Sequence, residues 1–115
     1  MNANELKFLN AKNLADTQTN ADITISVTGK TSARHVALGL TISANTAPSS
    51  SLTAELRSAS NVLRRIQIPA AAFPAIRINY PYGVFANSGE ALSLVVSGSG
   101  KGATFSVDMD YGTVR

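Results

Sequence analysis

The sequence predicts an all-β fold, an antiparallel two-sheet β-sandwich built as an eight-stranded jelly roll. Three observations predict it. Apolar residues recur at every second position in segment after segment, no interval of helical periodicity separates those segments, and turn-forming stretches divide them. Period-two alternation turns one face of a strand toward a core and the other away from it. Eight short strands without the Cys and Trp landmarks of an immunoglobulin domain suit two Greek keys better than a seven-stranded sandwich.

Residues 1–21 are expected to form an N-terminal strand or arm, and residues 22–115 the sandwich. In the arm, Leu6 to Leu9 reads as a strand and Asp16 to Asn20 as an extended polar link, because Asn10, Asn13 and Asn20 interrupt any helix. Ile23, Ile25 and Val27 then alternate, and Thr28-Gly29-Lys30-Thr31 reverses the chain. Val36, Leu38, Leu40 and Ile42 form the inward set of the next strand, which places His35 on the outer face. After the polar loop from Thr46 to Ser51 come Leu52, Ala54 and Leu56.

Ser58 to Asn61 reads as a hairpin turn whose returning strand carries Ile66 and Ile68 inward. Pro69 ends the pairing because it has no amide hydrogen to donate, and Ala70 to Pro74 is expected to cross between sheets. Ile76, Ile78 and Tyr80 alternate, and Pro81 to Gly89 reads as a long, unusually apolar loop. Leu92, Leu94 and Val96 follow, then Gly98-Ser99-Gly100-Lys101-Gly102 as a hairpin. Ala103, Phe105, Val107, Met109 and Tyr111 line the last strand.

A chain of 115 residues supports one core. Zero cysteines exclude a disulfide framework and a thiolate metal site. The net charge is +3, but the ten basic residues are scattered and only Arg64 and Arg65 are adjacent, so nucleic-acid binding is not expected. No run approaches the roughly 18 apolar residues of a membrane span, and the first residues lack the basic and apolar regions of a secretory signal. Neither a membrane partner nor export is therefore expected.

Chemistry-bearing residues are few. The single histidine, His35, cannot build a typical zinc site or a catalytic relay unaided. Asp108 and Asp110 share the outer face of the last strand, where pairing with Arg77 or Lys101 is the expected role and cation binding the alternative. The Gly98–Gly102 run lacks both the spacing of a phosphate loop and a following helix. No catalytic residue, cofactor or metal site is expected. Tyr82 and Phe85 on their loop and Val95 on an outer face are the candidate interface residues.

Ile66-Gln67-Ile68-Pro69, Ile76-Arg77-Ile78-Asn79-Tyr80-Pro81, Gly89-Glu90-Ala91-Leu92-Ser93-Leu94, Ser97-Gly98-Ser99-Gly100 and Val107-Asp108-Met109-Asp110-Tyr111 form a recognisable series. Over residues 52–111 it resembles small auxiliary virion proteins of tailed bacteriophages. The resemblance implies a jelly-roll capsid decoration or cement protein, a homo-oligomer with a trimer favoured, assembled onto virions in the bacterial host cytoplasm. Its partners would be the major capsid protein or other virion proteins. The competing expectation is a carbohydrate- or receptor-binding β-sandwich module of a phage tail or fibre.

Overall fold

The computed structural model describes residues 11–71 and 73–115. Its eight strands are β1 (Lys12–Thr19), β2 (Ile23–Val27), β3 (Arg34–Ala44), β4 (Leu52–Ser58), β5 (Asn61–Ile68), β6 (Phe73–Phe85), β7 (Leu92–Val96) and β8 (Thr104–Val114). They form two four-stranded sheets, ordered β1-β8-β3-β6 and β2-β7-β4-β5. Every pairing is antiparallel. This interleaved order is that of a jelly roll, so the expected fold class stands.

Apolar side chains from both sheets meet in one core. Phe105, Met109, Leu40 and Ile42 of the first sheet and Ile23, Leu56, Ile68, Leu92 and Leu94 of the second are almost wholly excluded from solvent. Each such side chain contributes about 1.5–3 kcal/mol on leaving water. Tyr80 packs against this core from a half-buried position, as its alternation with Ile76 and Ile78 predicts.

The first strand differs from the expectation. β1 begins at Lys12 and stays paired with β8 as far as Thr19↔Thr104, so most of the stretch read as a polar link is ladder. Its side-chain pattern is polar because β1 is an edge strand, with only Leu14 packed on the core. Leu6 to Leu9 lies outside the described residues.

Gly98–Gly102 is not a hairpin. It joins β7 of one sheet to β8 of the other, and two of its glycines, Gly100 and Gly102, adopt positive φ. The connection from β5 to β6 likewise crosses between sheets, as expected after Pro69. Of the seven connections between successive strands only that from β4 to β5 is a true hairpin, closed by Ala59 and Ser60 with Ala59 at φ 50°.

A register shift in β3 overturns the prediction for His35. Leu38 is an extra residue between Ala37 and Gly39 in the pairings with both β6 and β8. One inserted residue reverses the alternation. Leu40 and Ile42 therefore face the core as expected, but ahead of the bulge it is Ala37 that joins the core, while Val36, though buried, does not. His35 shares the phase of Ala37 and is only 4% exposed.

Candidate functional site

The same bulge shapes β6. Val84 pairs with Ala37 and Asn79 with Gly39, so Tyr80 to Gly83 all lie opposite the single residue Leu38. Pro81 sits within this bulge, where the ladder asks no amide hydrogen of it, and Gly83 supplies the positive φ, 75°, that returns the chain to pairing. The stretch read as a loop is consequently strand as far as Phe85. The bulge lifts Tyr82 into solvent: it is 76% exposed, the one exposed large hydrophobic side chain among the described residues.

Directly before the bulge, a polar row crosses the outer face of the first sheet. Asn79 pairs with Gly39, which pairs in turn with Asp110, and Asp110 with Asn13 of β1. The Arg77 guanidinium lies over Gly39, where a side chain would collide with it. From there Arg77 donates to Asp110 Oδ2 at 2.8 Å, to Thr41 Oγ1 at 3.0 Å and to Asn79 Oδ1 at 3.0 Å. Asn13 Nδ2 donates to Asp110 Oδ1 at 2.8 Å, and Asp108 Oδ1 lies 3.9 Å from Arg77 Nη1.

Partial burial raises the Asp110 carboxyl, but the hydrogen bonds from Asn13 and Arg77 and the guanidinium charge outweigh it and hold the group below its usual value. Asp108 and Asp110 are thus the outer-face partners of Arg77 that the sequence predicts. Among the described residues no group of three His, Cys, Asp or Glu side chains is placed to hold a metal ion.

The three candidate interface residues do not form one patch. Tyr82 and Phe85 belong to the bulged end of β6, at an edge of the first sheet, whereas Val95 lies in β7 of the second sheet. Phe85 is half-buried, and the Arg34 guanidinium stacks over its ring 5.1 Å from the centroid while Arg34 Nε donates to the Ala86 carbonyl at 3.0 Å. Arg34 carried no sequence expectation. Its side chain leaves Tyr82 as the free aromatic at this edge.

Val95 is half-buried between Thr24 of β2 and Glu55 of β4. Glu55 accepts from Arg57 and lies 3.6 Å from Arg65. The Arg57 hydrogen bond, countered by partial desolvation and aided by both guanidinium charges, lowers the Glu55 carboxyl from its usual value. The outer face around Val95 is therefore small and charge-paired. Ser26 and Ser93 add a hydroxyl–hydroxyl bond of 2.9 Å.

No protein-family model matches the chain, and no curated protein matches it. Among solved structures it is similar to the CBM36-1 domain of a multidomain xylanase from the hindgut metagenome of Trinervitermes trinervoides. The identity is 13% and the TM-score 0.41, over 88% of this chain and 75% of that one. The fold assignment rests on the strand order, not on this likeness.

Proposed function

We propose that the chain is a non-catalytic recognition module whose jelly roll presents Tyr82 to a carbohydrate on a receptor surface. The observation that carries this reading is the bulge of β6, which exposes one aromatic ring immediately beyond a fixed row of planar polar groups. The C–H face of a pyranose packs on an aromatic ring, and its hydroxyls pair with amide, carboxylate and guanidinium groups such as those of Asn79, Asp110 and Arg77. Those groups are already held by one another, so a sugar would meet them in place. A role at a phage tail or fibre agrees with the sequence resemblance.

A second reading, capsid decoration, is supported by the outer faces themselves. Thr17, Thr19, Thr104 and Ser106 on one sheet and Thr24, Ser26, Ser93 and Val95 on the other are small, and three cross-strand hydroxyl pairs close at 3.0, 2.8 and 2.9 Å. The charges beside these patches, Arg77–Asp110 and Arg57–Glu55, are already paired, which lowers the cost of covering them in a homo-trimer or against a shell protein. A stable interface would need about 1,200–2,000 Å².

Glycan-array screening followed by calorimetry, alongside sedimentation with purified capsids, separates the readings. The first expects a saturable glycan signal that Tyr82→Ala abolishes while the melting temperature stays put. Silence on the array together with high-copy capsid binding that survives Tyr82→Ala would discard it in favour of decoration.

A further inference from the structure

We propose that one end of the sandwich is a binding cleft for a small polyoxyanion, a ligand bearing two or more phosphate or carboxylate groups. The cleft has a volume of about 410 Å³ and brings together Lys12 at the start of β1, Lys30 from the connection between β2 and β3, and Arg115 just past β8. Its remaining polar wall is His35, Tyr111 and Thr113, and among the described residues no Asp or Glu side chain lines it. Three cationic side chains from segments far apart in sequence therefore converge with no Asp or Glu side chain among the described lining residues, and a bound polyanion relieves their mutual repulsion.

The wall behind these cations is preorganised. His35 Nε2 donates to the Thr28 carbonyl at 2.8 Å, and Nδ1 shares a hydrogen bond of 2.8 Å with the Thr113 hydroxyl. Tyr111 meets the imidazole edge to face, with ring centroids 6.3 Å apart. These bonds fix both the start of the β2–β3 connection, which carries Lys30, and the end of β8, which leads to Arg115. The bulge at Leu38 is what turns His35 inward, so the cleft is a product of the same irregularity that exposes Tyr82. The two sites are otherwise independent: the cleft lies at the β1–β8 side of its sheet and the Tyr82 edge is β6.

Titrating the full chain with pyrophosphate and, separately, with citrate at constant ionic strength tests the proposal, read by calorimetry and by amide chemical shifts. The expected result is saturable binding of at least one probe, with shifts concentrated at Val27, Lys30, His35 and Thr113. Lys30→Glu and Arg115→Glu should each weaken it by about tenfold or more. Both side chains are exposed, so the melting temperature should not move, and Lys101→Glu, at the opposite end of β8, should leave binding unchanged. A preference for pyrophosphate identifies a phosphate ligand and a preference for citrate a carboxylate one. No response of the cleft amides to either probe up to about 10 mM, or affinity untouched by both substitutions, overturns the proposal.

Discussion

Replacing Ser58 by Ala breaks a buried join between the β4–β5 hairpin and the connection from β6 to β7. The Ser58 side chain is 0% exposed; its hydroxyl donates to Glu90 Oε1 at 2.6 Å and accepts the Asn87 amide hydrogen at 2.8 Å. Alanine fits the space but leaves that amide without its partner. An orphaned, partly buried donor costs about 1–2 kcal/mol. For a domain of this size about 1 kcal/mol moves the melting temperature by about 3–5 °C, so the midpoint at neutral pH should fall by about 3–10 °C.

The pH dependence of the effect has a definite sign. Hydrogen bonds from Ser58 first and Asn87 second hold the Glu90 carboxyl below its usual 4.5. A carboxyl lowered in the folded state stabilises the fold above its unfolded value, and that contribution is lost as pH falls through the folded value. The gap between parent and Ser58→Ala should consequently narrow in acid, below about pH 4. Thermal unfolding followed by circular dichroism at neutral and acid pH, with the exposed Ser60→Ala as control, measures both quantities. A Ser58→Ala midpoint equal to the parent's at neutral pH would refute the reasoning.

Two further outcomes follow from the sheets. Asp110→Asn should flatten the acid limb of the stability curve, because the lowered Asp110 carboxyl contributes stability that disappears as pH falls through a folded value under 3.8; chemical denaturation across the acid range checks this, and an unchanged limb would count against the Arg77 and Asn13 pairing. Phe105→Ala empties the centre of the core and should cost about 3–5 kcal/mol by denaturant titration, whereas a loss under about 1 kcal/mol would mean that the ring is not packed as described.

Strand-level alternation was legible wherever the ladders are regular. Leu52, Ala54 and Leu56, Leu92, Leu94 and Val96, and Phe105, Val107 and Met109 all face inward as their spacing predicts. It failed at β3, because Leu38 is itself apolar and hides the inserted residue inside an unbroken alternating pattern. Only the pairing of Ala37 and Gly39 with Tyr111 and Asp110 discloses it. The same concealment misplaced His35, whereas the Pro81–Gly89 segment reads as a loop because Pro81 and Gly83, which the bulge of β6 accommodates, are turn residues.

Site residues were legible in proportion to how local they are. Tyr82 was visible as an aromatic among turn residues, and Asp108 and Asp110 as neighbours on one face. The glycine run from Gly98 to Gly102 marked a turn correctly but could not say which sheet the chain would enter next. Lys12, Lys30 and Arg115 meet only through the β1–β8 pairing and the link from β2 to β3, a convergence with no signature in sequence spacing.

The interleaved strand order also has a kinetic consequence. β8 lies between β1 and β3, and β7 lies between β2 and β4, so β1 and β2 have no partner within their own sheets until the last two strands are made. During synthesis the first third of the chain must therefore wait, while the β4–β5 hairpin is the one pairing that can close locally. Loop closure over most of the chain precedes either sheet's completion, which places folding among the slow, non-local class and after translation of β8. The late strand that docks between β1 and β3 completes the sheet and, in the same step, carries Tyr111 and Thr113 to His35.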